Sequence, residues 1–115
     1  MKYKYKYTGI ILKVVDGDTI DVDLDLGFRI WVRDRFRLYG INAPEMSTPE
    51  GVKAKKELEK LLPVGKLVNI DSRKDKKEKY GRWLAIIKCG SINVNKHMLE
   101  SGNAVEFMLG KEEHL

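Results

Sequence analysis

The residues of this chain that could do chemistry fall into a few short stretches, the first of them acidic. Asp16, Asp18, Asp21, Asp23 and Asp25 lie within a segment that holds no Lys or Arg. An EF-hand calcium loop is excluded. Counting from Asp16 puts Ile20, Asp21 and Gly27 where an acid or amide, a glycine and a glutamate are required, and counting from Asp21 fails at Leu26 and Val32. Asp21, Asp23 and Asp25 alternate with apolar residues and read as a solvated strand face. Asp18 differs in parity, sharing the side of Ile20 and Val22 just after a turn. An unpaired carboxylate is costly to bury there, so a metal-ligand role is favoured over simple turn chemistry.

The second stretch is the corner "YGINAPE", residues 39–45. Gly40 stops the preceding strand, Asn42 tolerates unusual backbone angles, and Pro44 forces Ala43 into an extended geometry, so that backbone carbonyls turn outward. A plain connection into a helix cap would look similar. What distinguishes the corner is Glu45, an acid fixed behind a proline and eight positions beyond Arg37. The third stretch, "KDKKEKYGRWLA", sets Tyr80 among cations, which suits stacking on a base while a phosphate is held electrostatically. Lys74, Lys76 and Lys77 read as a solvated loop, whereas Arg82 opens the next strand and is better anchored. His97 has no serine or cysteine nucleophile in a recognisable arrangement with it and reads as packed or surface; Cys89 reads as buried in a strand.

These residues need a scaffold, and hydropathy periods supply one. "KYKYKYTGIILKVV" has the two-residue period of a strand, Asp16-Gly17 signals a tight hairpin, and "TIDVDLDLG" is the return strand. In "FRIWVRDRFRLY", Phe28, Ile30, Val32, Phe36 and Leu38 face one side and Arg29, Arg33, Arg35 and Arg37 the other. Ala54, Leu58, Leu61 and Leu62 then fall at helical spacing, with Ser47 and Glu50 as a capping box near Pro49. "KLVNID" and "RWLAIIKC" give two more strands around a basic loop, and "NVNKHMLESG" a short helix capped by Asn93 and stopped by Gly102. The class is α+β, mainly β: a five-stranded barrel with two helices in the order β-β-β-α-β-β-α.

Composition bounds the rest. With 115 residues, 43% hydrophobic and 34% charged, residues 1–115 are expected to form one domain, with 108–115 a loose tail. A formal charge of +5 favours a polyanionic partner such as nucleic acid. The single cysteine excludes an intramolecular disulfide, and two histidines cannot build a Cys/His zinc cluster, so any metal must be held mainly by oxygen. No apolar run near the N-terminus is long enough for a signal h-region or a membrane span, so a cytoplasmic monomer with no membrane partner is expected.

Taken together, "VVDGDTI", "FRLYGINAPE" and "EKYGRWLA", in this order and spacing, resemble the staphylococcal nuclease family over roughly residues 8–107. The resemblance implies an oligonucleotide-binding (OB-fold) barrel that cleaves DNA and RNA, single-stranded or frayed, with Ca2+. It implies that Asp18 and Asn42 are side-chain metal ligands and that the Ala43 carbonyl is a third. It makes Glu45 the general base, Arg37 and Arg82 the phosphate-gripping cations, and Lys79 with Tyr80 the nucleotide contacts. Parity alone does not separate Arg37 from Arg33 or Arg35; that choice rests on the family motif. Asn42 departs from the family, which usually has an acid there, and an amide oxygen brings no charge to a calcium site. A catalytically weak nucleic-acid-binding module is therefore the alternative reading. A small protein-interaction barrel would leave Glu45, Arg37 and Arg82 unexplained.

Overall fold

A computed structural model describes residues 5–77 and 80–107. Strand β1 (Lys6–Asp16) turns at Gly17 into β2 (Thr19–Asp25), which pairs antiparallel with β3 (Trp31–Leu38). Helix α1 (Pro49–Leu61) leads to β5 (Leu67–Lys77) and β6 (Trp83–Cys89), and helix α2 (Val94–Glu100) follows. Two-residue segments complete the set: β4 (Ile41–Asn42), β7 (Ile92–Asn93) and β8 (Val105–Glu106). The main sheet runs β3-β2-β1-β5-β6-β7, and a parallel pairing of β3 with β6 closes it, leaving the short β7 at the edge. The result is a closed, mixed five-stranded barrel with two helices, as the sequence predicts. The short strands β4 and β8 pair with each other beside it.

Alternation drives this closure. Ile11, Ile20, Val22, Leu38, Ile70 and Ile87 point into one interior and are fully buried, together with Leu58 of α1 and Met98 of α2. Gly9 lets β1 lie close to its neighbours, since a Cβ there would sit 2.5 Å from Val22 Cγ1 and 3.2 Å from Ile70 Cδ1. Among the described residues, no helix is long and apolar enough to cross a membrane.

Several local expectations shift. The cap of α1 is Thr48, not Ser47: its hydroxyl accepts from Gly51 N–H at 3.0 Å, and Pro49 directly after it takes the first helical position, where no N–H is needed. Phe28 and Ile30 do not join the apolar face of β3. They lie in a connection where Gly27, Phe28 and Arg29 all have positive φ, and Phe28 is 97% exposed. β5 extends through Lys77, beyond the apolar run, because the β5–β6 pairing continues past it with a bulge. The left-handed residue of the "YGINAPE" corner is Gly40, at φ 81°, not Asn42.

Candidate active site

Three segments far apart in sequence meet at one end of the barrel. The first is the β1–β2 turn. A Cβ on Gly17 would lie 2.7 Å from Ala43 Cβ and 2.8 Å from Ala54 Cβ, so the turn fits between the corner and α1 only as glycine. This close approach brings Asp18, which is 7% exposed, against the corner. Its Oδ2 accepts from the Ala43 N–H at 2.9 Å and lies 3.7 Å from Arg37 Nη2, while Oδ1 accepts from the Thr19 hydroxyl at 2.9 Å. The Asp18 carbonyl also accepts from Leu38 N–H at 2.8 Å, locking turn to strand.

The second segment is the end of β3 with the corner. Arg37 shares its face with Arg33 and Arg35, yet they differ sharply in setting: Arg33 and Arg35 are exposed and Arg37 is 5% exposed. Arg35 is held by Asp21, with Nε donating to Oδ1 at 2.7 Å, and that carboxylate raises its pKa further. Arg37 donates from Nη2 to Asn42 Oδ1 at 3.1 Å and has its guanidinium carbon 4.9 Å from the centre of the Phe107 ring. Phe107 is placed by the β4–β8 pairing and by its own N–H, which donates to Gly40 O at 2.9 Å.

Glu45 is exposed, and its position is set through its backbone. Its carbonyl accepts from Thr48 N–H at 3.0 Å and from the Thr48 hydroxyl at 2.7 Å. Gly51, buried in the first turn of α1, lies directly behind it: a Cβ there would clash with the Glu45 carbonyl and stand 2.9 Å from the Pro44 oxygen. The third segment contributes Arg82, whose Nη1 lies 3.4 Å from the Thr19 hydroxyl oxygen and whose guanidinium sits over the Tyr80 ring at 5.4 Å. Lys79 lies outside the described residues.

Asp18, Arg37, Asn42 and Ala43 are thus in direct contact, and Arg82 with Tyr80 joins them through Thr19. Thr19, 1% exposed, has no place in the sequence reading. Its signal was available: it opens β2 directly opposite Arg37 and follows Asp18, whose parity differs from that of Asp21, Asp23 and Asp25. Asp16 also belongs here, because its Oδ1 accepts from Asp18 N–H at 3.0 Å. Burial pushes its carboxyl above the ordinary value, and the adjacent Asp18 adds to the rise.

The donors suit a hard cation. They are carboxylate oxygens of Asp16 and Asp18 and the amide oxygen of Asn42, and two crowded carboxylates gain from a positive charge between them. Among the described residues, no group of three or more His, Cys, Asp or Glu gathers to form a complete cage. Calcium takes about six to eight oxygens, so most positions on an ion held here would go to water and phosphate oxygens.

Comparison with known proteins adds an independent line. Residues 35–114 match the family model described as "Staphylococcal nuclease homologue". Similar proteins include a thermonuclease of Staphylococcus intermedius, 30% identical over 83% of this chain and 56% of that protein. Endonuclease YhcR of Bacillus subtilis is 31% identical over 90% of this chain and 9% of that protein. An uncharacterized protein of Methanocaldococcus jannaschii is 33% identical over 85% of this chain and 58% of that protein. The chain spans little more than half of even the best covered of these relatives. Asp18 precedes the matched residues, yet the fold joins it to Ala43 and Arg37 within them.

Proposed function

The chain belongs to the staphylococcal nuclease family, and from that premise we propose that it is a calcium-dependent nuclease. It hydrolyses phosphodiester bonds of DNA and RNA, single-stranded or frayed, with little sequence preference. The observation that carries this reading is the convergence on Asp18: one carboxylate touches the corner through Ala43, faces Arg37 at 3.7 Å, and reaches Arg82 through the Thr19 hydroxyl.

In this reading Asp18, Asn42 and the Ala43 carbonyl would hold the calcium ion, with Asp16 beside them. When bound, the ion supplies Lewis-acid polarisation of a phosphoryl oxygen. Glu45, exposed where water reaches it, takes the proton of the attacking water. Arg37 and Arg82 donate N–H groups to phosphate oxygens as negative charge builds on the five-coordinate phosphorus. Both are preoriented, each over an aromatic ring and each bonded to a neighbour, so little freedom is lost when they engage. Tyr80 and Lys79 contact the nucleotide.

One observation favours the second reading, a binding module of low activity. The Asn42 oxygen already accepts from Arg37, and an amide competes for calcium less well than a carboxylate. A nuclease assay on single-stranded DNA, with millimolar calcium and then with chelator, separates the two. The expected result is calcium-dependent cleavage that drops roughly a hundredfold to ten-thousandfold in Glu45→Gln. Cleavage that persists in chelator, or full activity of Glu45→Gln, would refute the nuclease mechanism.

A further inference from the structure

Among the described residues, three guanidiniums sit over aromatic rings: Arg37 over Phe107 at 4.9 Å, Arg82 over Tyr80 at 5.4 Å, and Arg73 over Tyr39 at 4.8 Å. The first two pairs belong to the site described above. The third has no part in it, yet it repeats the same device next door. Tyr39 follows Arg37 by two residues at the end of β3, and its N–H donates to Ala85 O at 2.8 Å. Arg73 follows Ser72, which lies opposite that same Ala85 across β5 and β6. The cluster is therefore fixed to the strands that carry Arg37 and Arg82.

Arg73 is also short of partners in a way that Arg35 is not. Arg35 is clamped by both oxygens of Asp21. Among the described residues Arg73 makes no ion pair, and its Nε is buried with no hydrogen-bond partner. A guanidinium held on a ring with no carboxylate to neutralise it has its outer N–H fork ready for an external anion.

We propose that Arg73 and Tyr39 form a second phosphate subsite, which takes the backbone phosphate adjacent to the scissile linkage of a single-stranded polynucleotide. Tyr39, which carries this fork, stands two residues beyond Arg37, a backbone advance of about 7 Å and comparable to one nucleotide step. The inference rests on the reading of the chain as a nucleic-acid enzyme and deepens it: the substrate is a polymer gripped at more than one phosphate, not an isolated ester.

The test is binding in chelator, so that nothing is cleaved. Affinities for a thymidine dinucleotide and octanucleotide are measured across a salt series for wild type, Arg73→Gln, Tyr39→Leu and Arg33→Gln. Arg33→Gln removes the same charge from the far end of β3 and serves as the control. For Arg73→Gln the octanucleotide salt slope should fall by about 0.7, the signature of one lost phosphate contact on a single strand. The octanucleotide-to-dinucleotide affinity ratio should fall roughly fivefold or more, with Tyr39→Leu losing part of the same advantage. If Arg73→Gln merely matches Arg33→Gln in slope and ratio, the subsite is refuted while the nuclease reading stands. If wild type binds no octanucleotide, both fall.

Discussion

Gly51→Ala adds a single methyl group behind the Glu45 backbone, and the structure assigns it a large effect. The added methyl would collide with the Glu45 carbonyl and lie 2.9 Å from the Pro44 oxygen, and both obstacles are backbone. Neither can rotate aside, so the corner must withdraw from α1 by on the order of 1 Å, a displacement that near a reacting group typically costs about a hundredfold in rate. Overpacking of this kind costs about 1–3 kcal/mol, offset by about 1 kcal/mol because alanine is the better helix former. A net loss of about 0–2 kcal/mol leaves the protein folded while Glu45 is misplaced. The experiment pairs a thermal melt with steady-state hydrolysis of single-stranded DNA in calcium. Expected is a kcat about a hundredfold down, with the melting temperature reduced by less than about 15 °C. A Gly51→Ala protein with wild-type kcat would refute the claim that this glycine fixes the position of Glu45.

Thr19→Val keeps shape and strand preference but removes the hydroxyl between Asp18 and Arg82. The expected loss is about ten- to hundredfold in kcat/KM, equivalent to a charge-assisted hydrogen bond of about 1.5–3 kcal/mol, and it should nearly vanish in an Arg82→Ala background. Fully additive losses would show that Thr19 does not act through Arg82. Asn42→Asp should raise calcium affinity in calorimetry by about tenfold, since it adds a charged oxygen beside Asp18; unchanged affinity would place residue 42 away from the ion. Remote from the site, His97 Nε2 lies 2.8 Å from Glu57 Oε2 and holds the Glu57 carboxyl below its ordinary value of 4.5. A depressed folded-state value stabilises above pH 4.5 and is lost as acid protonates the group. The stability gap between wild type and Glu57→Gln, below about 1 kcal/mol for this partly exposed pair, should therefore close as pH falls well under 4.5. A gap that persists in acid would contradict it.

Alternation between charged and apolar residues made the barrel strands legible, because a period of two survives any tertiary detail. It misled where it ran on through a turn: Phe28 and Ile30 continue the pattern of β3, but consecutive left-handed residues put them outside the sheet. The helices announced themselves by spacing and caps, with Thr48 one position from the expected Ser47 because two hydroxyls in a row give the same signal. The distinction of Arg37 from Arg33 and Arg35 could not be read locally. It arises when Phe107, seventy residues away in sequence, folds over one of three equivalent positions. Thr19 was missed for a related reason: Arg82, the partner that gives its hydroxyl a role, lies 63 residues away in sequence, and the neighbouring Asp18 is its one local mark.

The parallel pairing of β3 with β6 has a kinetic meaning as well as an architectural one. Residues 36–38 meet residues 83–85 only after every intervening element has been laid down, a contact with a high loop-closure cost that is expected to form late. Arg37 lies within that seam and Arg82 borders it. Any transient opening of the seam separates the two cations, so their alignment depends on a non-local pairing staying closed.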